Sequence, residues 1–249
     1  MCDYKKDDKL FQKIFNNLEY DTNDNIPDGF ATLNYEDGSC YKGIIKNGMR
    51  HGKGCFTKKN GSSYEGDFVE GLRHGKGKIT SDTYSYEGDF VNDEKHGKGK
   101  ITSGRYSYEG DFVEDKFHGK GILRFANGDS YEGDFVEGLK HGNGTVTYEG
   151  EDSYEGEWKD NEMDGKGILR FANGDSYEGN FVEGDYHGNG IITYKNGESY
   201  EGDWKNGLKH GSGILYNGRG TSYDVFYKNG ILVKKFILRK VEKYRFCYK

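Results

Sequence analysis

Between Ser130 and Val136 the chain alternates. Tyr131, Gly133 and Phe135 fall on one parity, Glu132 and Asp134 on the other. A period of two is the signature of a strand whose two faces meet different surroundings. After a short polar gap the alternation resumes, with Gly142, Gly144 and Val146 on one parity and His141, Asn143 and Thr145 on the other. Phe56, Ile79, Ile101, Leu123, Leu169, Ile192 and Leu215 fill the Val146 slot elsewhere. Each unit therefore predicts two antiparallel strands, and consecutive units predict a meander. Asn127-Gly128, Asn173-Gly174 and Asn196-Gly197 are expected as two-residue type I′ turns, whose central residues both need positive φ. Glu70-Gly71, Glu137-Gly138 and Asn206-Gly207 mark the opposite end, where a longer loop is expected.

The motif tyrosine recurs at Tyr41, Tyr64, Tyr86, Tyr108, Tyr131, Tyr154, Tyr177 and Tyr200, in steps of 22 or 23 residues. Ten residues after each stands a histidine, replaced by Asp164 in the sixth copy. The stretch GKGILRFANGDSYEG occurs twice word for word, from Gly119 and from Gly165. Such identity fits tandem duplication, which is easy when each unit contacts only its neighbours.

Composition gives the alternation a physical reason. Of 249 residues, 40 are Gly, 21 Tyr and 15 Phe, and aliphatic residues are scarce. A thick interior is excluded, so the strands predict a sheet one layer deep. Glycine inside a strand is costly and marks close approach of another group. Gly133, Gly142 and Gly144 are expected beneath flat-lying Tyr and Phe/Trp rings, which bury area where no second sheet exists. On the other face Glu65, Asp67 and their repeats oppose Lys53, Lys76, Lys98, Lys120 and Lys166, which predicts cross-strand ion pairs.

Copies of YEGDFVEGLRHGKGK resemble the MORN (membrane occupation and recognition nexus) repeat over about residues 35–230. The resemblance implies an all-β fold: an elongated, twisted, single-layer antiparallel meander of hairpins. It also implies a scaffold or adaptor role near membranes or cytoskeleton, with lipid contact proposed for some members. In some members such arrays precede a catalytic domain, and here no room remains for one.

Other chemistry is weak. Neighbouring histidines would lie about 9–10 Å apart, two strand spacings, too far to share a zinc ion with ligands at ~2.1 Å. The repeated acids, such as Glu132 and Asp134, read as a solvated face with nothing to make one pair special. HGKGK lacks the Walker spacing. DTNDN from Asp21 has Ile26 where a calcium loop needs Gly. The four cysteines have no metal-type spacing. No catalytic residue, metal or cofactor is expected, and the chain is read as a non-enzyme.

Net charge is -6, divided unevenly. Residues 228–249 hold eight Lys/Arg and one acid, about +7, which leaves the rest near -13 (28 basic against 41 acidic). An acidic body excludes nucleic acid as a partner. No apolar run approaches the ~20 residues of a membrane span. The first fifteen residues lack the apolar stretch of a secretory signal, so an intracellular, cytoplasmic location is expected, with peripheral membrane or cytoskeletal contact.

Three segments are expected. Residues 1–25 form an N-terminal cap, with Leu10, Phe11, Ile14, Phe15 and Leu18 at helical spacing. Residues 26–230 form the array. Residues 231–249 form a basic cap whose pattern suits helix or strand. The expected function is a scaffold that holds protein partners, or a second copy, along an aromatic groove. That groove is lined by Tyr64/Phe68, Tyr86/Phe90, Tyr108/Phe112, Tyr131/Phe135, Tyr154/Trp158, Tyr177/Phe181 and Tyr200/Trp204. The alternative is peripheral binding to anionic lipid through Lys234, Lys235, Arg239, Lys240 and Lys243.

Overall fold

The computed structural model describes residues 19–21 and 26–240, with the backbone alone at 19–21 and 239–240. Every element among them is a strand. The first compact unit, to Ala126, holds β1 (Glu19–Asp21), β2 (Gly29–Asn34), β3 (Cys40–Lys46), β4 (Met49–Thr57), β5 (Ser63–Val69), β6 (Leu72–Thr80), β7 (Tyr84–Val91), β8 (Glu94–Ser103), β9 (Tyr106–Val113) and β10 (Lys116–Phe125). The second, from Asn127, holds β11 (Ser130–Val136), β12 (Leu139–Thr147), β13 (Ser153–Lys159), β14 (Glu162–Arg170), β15 (Ser176–Val182), β16 (Asp185–Thr193), β17 (Glu198–Lys205), β18 (Leu208–Asn217), β19 (Thr221–Lys228) and β20 (Ile231–Lys240).

Within each unit the strands pair antiparallel in chain order, as an open single-layer meander. The exception is β1, which lies parallel to β2. Three residues of the expected N-terminal cap are thus strand, because they extend the sheet edge, and its helical stretch lies outside the described residues. At the other end the ambiguous 231–240 segment is strand and pairs with β19. Backbone groups of the last repeat strand find partners that way. Val241 and Lys243 lie outside the described residues.

The two turn types are exchanged relative to expectation. The tight type I′ turns are Asn47-Gly48, Glu70-Gly71, Asn92-Asp93, Glu114-Asp115, Glu137-Gly138, Asp160-Asn161, Glu183-Gly184, Asn206-Gly207 and Asn229-Gly230, with positive φ at both central residues. At the other rim Gly197 has φ +81 while Asn196 is not in the left-handed region. Its N–H reaches Tyr194 O at 2.8 Å and the Asn196 side chain accepts the Glu198 N–H at 2.9 Å. Asn196 therefore supplies a side-chain acceptor to a longer loop rather than a left-handed backbone.

The eight repeat hairpins, from β3–β4 to β17–β18, bulge at the same step. In β11–β12 the register runs Gly133↔Gly144 and then Asp134↔His141, so Gly142 and Asn143 have no partner on β11. Gly142 takes φ +57 there, a conformation that favours glycine. Gly142 was expected under a ring. Instead a Cβ on it would stand 2.9 Å from Asp134 Oδ2, whereas a Cβ on Gly144 would stand 2.3 Å from the Tyr131 hydroxyl and 2.5–2.6 Å from its ring. Gly133 is equally tight, 2.5 Å from both the Tyr131 hydroxyl and Gly144 Cα. The two strand glycines make room for the ring, and the first Gly of His-Gly-x-Gly makes the bulge.

Candidate docking faces

The aromatic side is a buried ladder. All fourteen expected groove residues are 5% exposed or less. In the second unit Tyr131 meets Phe135 edge-on at 5.1 Å and Trp158 at 5.3 Å, and Tyr154 meets Trp158 at 5.2 Å and Phe181 at 5.0 Å. Tyr177 meets Phe181 and Trp204, and Tyr200 meets Trp204, in the same way. In the first unit Tyr64 stands between Phe68 and Phe90, Tyr86 between Phe90 and Phe112, and Tyr108 against Phe112. Edge-to-face pairs at these separations match ring quadrupoles. The rings are the thin core itself, so a partner on this side meets what lies over them.

That cover is a row absent from the sequence reading, the residue just before each histidine. Arg50 lies over Phe68 at 5.2 Å and Arg73 over Phe90 at 5.1 Å. Lys95 lies over Tyr86 at 5.6 Å, Lys140 over Trp158 at 4.6 Å and Lys209 over Tyr200 at 4.8 Å. Phe117 stacks on Tyr108 at 3.8 Å and Tyr186 on Tyr177 at 3.7 Å, both within 11° of parallel. Met163 faces Trp158 across the hairpin. The slot is hard to see in sequence because its residue types vary; the fixed offset from histidine is the signal that finds it. Turns of the following hairpin hold it in place: Asp93 accepts from Arg73 N and Nε, and Asp115 from Lys95 N and Nζ at 3.1 and 2.8 Å.

The tyrosine hydroxyls complete the bulge. Each donates to the carbonyl three residues on, at 2.8–3.1 Å from Tyr41 to Tyr200. The acid at that third position caps the orphan N–H across the bulge. Asp134 Oδ2 accepts from Asn143 N at 3.1 Å, Glu157 Oε1 from Lys166 N at 3.0 Å, and Asp203 Oδ2 from Ser212 N at 3.1 Å. The second acid of each motif is therefore a structural cap and not part of a merely solvated face. Burial pushes the hydroxyls up, Tyr186 and Tyr200 to about 12 and Tyr64, Tyr86, Tyr108, Tyr131, Tyr154 and Tyr177 further.

The opposite face carries the expected ion pairs in the first unit: Lys53–Asp67 at 2.8 Å, Lys76–Asp89 at 2.6 Å and Lys98–Asp111 at 2.7 Å. Histidines sit at the bulge near the next turn. His210 Nδ1 accepts from Asn229 N at 3.3 Å, and His141 Nδ1 is 3.8 Å from Asp160. Among the described residues no three His, Cys, Asp or Glu are placed to hold a metal ion. Lys234 and Lys235 lie on the exposed edge strand β20, Lys235 over the Tyr223 ring at 3.9 Å. Arg239 and Lys240 end that strand, and Lys243 is beyond the described residues.

One hairpin, with its Tyr, two ring-bearing glycines, bulge glycine and capping acid, recurs in register along both units. The MORN repeat pattern matches eight consecutive segments, 41–63, 64–85, 86–106, 108–130, 131–152, 154–176, 177–199 and 200–222. This chain belongs to the MORN repeat family. No curated protein matches it. Solved structures similar to this MORN protein include the G-box domain of the microcephaly protein CPAP, at 11% identity and TM-score 0.45, over 76% of this chain and 100% of that one. Another is the SAS-4 (dCPAP) TCP domain of Drosophila melanogaster in complex with a proline-rich motif of Ana2 (dSTIL), at 14% identity and TM-score 0.36, over 68% of this chain and 86% of that one. Neither likeness carries a function across.

Proposed function

We propose that this MORN protein is a non-catalytic scaffold that docks protein partners on its aromatic side. One observation carries the reading. A constant ladder of rings and glycines supports a variable cover, in which cations stand at 50, 73, 95, 140 and 209 and Phe117, Met163 and Tyr186 take the same place. A frame that repeats while its cover changes suits recognition, and no position along it concentrates catalytic groups. Ring substitutions would weaken the sheet and any docking together, so the test uses the cover. Partners cross-linked to the intact chain in the source cell are identified, then recovery is measured with Arg73→Ala/Lys95→Ala and Lys140→Ala/Lys209→Ala. Loss with either folded variant is expected; undiminished recovery with both rejects this face.

A second reading rests on β20. Ile231, Val233, Phe236, Ile237 and Leu238 are 53–71% exposed beside Lys234 and Lys235. Apolar and basic residues together suit an anionic membrane surface. Sedimentation with anionic vesicles at low salt, with and without residues 231–249, tests it. Equal binding by both forms rejects it.

A further inference from the structure

The outer faces of the two units carry the same row of positions with different chemistry. The row is set by the first acid of each motif and its cross-strand neighbours. In the first unit it reads Glu65, Lys78, Glu87, Lys100, Glu109, Ile122, each facing the next in register. Lys78 and Lys100 neutralise it, at 3.4 Å from Glu87 and 3.1 Å from Glu109. Toward the C-terminal end of the second unit the corresponding row reads Glu178, Ile191, Glu201, Ile214, Asp224, Phe236, again in continuous register. Ile191 and Ile214 stand where Lys78 and Lys100 do, and the one isoleucine of the first unit's stretch, Ile122, closes its row beside Glu109. Ile191 is 38% exposed and Phe236 65%. Among the described residues no cation lies within ion-pair distance of Glu178, Glu201 or Asp224.

A solvated face would place polar or opposite charge between its acids, as Lys78 and Lys100 do in the first unit. Several apolar side chains in register on the water side mark a contact surface. Repeated carboxylates between them select a cationic partner, because like charges across an interface are strongly disfavoured. Spacing narrows the choice. Acids recur every second strand, about 9.6 Å apart, with an apolar side chain midway at about 4.8 Å. A helix advances about 5.4 Å per turn, so basic and apolar residues on alternate turns fall close to this repeat.

We propose that this row is a docking surface for a helix of a protein partner that presents basic and apolar side chains on alternate turns. It rests on the scaffold reading above and adds a second face and a partner chemistry. The probe is a helical peptide of about five turns with Lys and Leu alternating by turn along one face, titrated onto the full chain by calorimetry. Its control replaces Leu by Ser at equal charge. Binding at one site per chain is expected, weaker by about tenfold or more for the Ser peptide. Ile191→Lys/Ile214→Lys and the milder Glu178→Gln/Glu201→Gln should each weaken the Leu peptide similarly, with unchanged urea midpoints. Lys78→Ile/Lys100→Ile should create a second site in the first unit.

Equal binding of the two peptides, or indifference to both row variants, overturns the proposal. So does a gain in affinity on deleting residues 241–249, which would make the chain's own basic segment the occupant. The scaffold reading fails separately, if no cross-linked partner depends on either face.

Discussion

The Tyr131 hydroxyl donates to the Asp134 carbonyl at 3.0 Å, while the Asp134 carboxylate takes the Asn143 N–H at 3.1 Å. The two bonds answer the two backbone groups that the bulge removes from the ladder. A strand glycine under the ring allows the bulge, and the bulge in turn gives the hydroxyl its partner. Tyr131→Phe keeps the ring and strands the carbonyl, so it should cost about 1–3 kcal/mol, the range for a buried polar group left unpaired. Urea denaturation of the full chain measures it.

Asp67 has two tasks: it accepts from Lys53 Nζ at 2.8 Å and from Lys76 N at 3.3 Å. Asp67→Ala should lose about 1 kcal/mol or more, mostly through the uncapped N–H, since an exposed ion pair contributes little. Lys53→Ala should cost clearly less. Equal losses from the two variants, read from urea midpoints, would move the weight to the ion pair.

Much of this was legible from alternation and period alone: strand pairing, the single layer, the ring-over-glycine contact of Gly133 and Gly144, and the lysine–acid pairs. Three things were not. The bulge breaks parity within His-Gly-x-Gly, and a pattern counted by twos cannot reveal where two residues leave the ladder. Asn196-Gly197 and Glu70-Gly71 were given each other's turn type because Asn-Gly signals a left-handed pair more strongly than Glu-Gly does. The cover over the rings escaped as well, because Arg73, Lys140 and Tyr186 share no residue type, and their long or flat side chains reach rings from a neighbouring strand.

Glu183 illustrates the turn error and an opportunity. It holds φ +49 before Gly184, where Asn is better tolerated than Glu. Asn47, Asn206 and Asn229 fill that position in other hairpins. Glu183→Asn should stabilise by a few tenths to about 1 kcal/mol, seen as a higher midpoint in thermal melts.

Alkali should unfold the sheet cooperatively. The Tyr200 hydroxyl ionises near 10 in the unfolded chain and is pushed up to about 12 by burial. Its contribution is present in full below pH 10 and declines as pH rises toward 12, because the unfolded state releases the proton first. The other ladder tyrosines act in the same direction. Phenolate absorbance should rise together with loss of the far-ultraviolet strand signal. Independent ionisation at pH 10–11 with the sheet intact would show that the hydroxyls are not buried.

The most direct test is a double-mutant cycle between Tyr131 and Gly144 in urea denaturation. If the ring rests on the space the glycine leaves, Gly144→Ala should be severe in the natural chain and far milder beside Tyr131→Ala. The two should couple by about 1–3 kcal/mol. Costs that add within about 0.5 kcal/mol would contradict the account, because the ring and the glycine would then be independent.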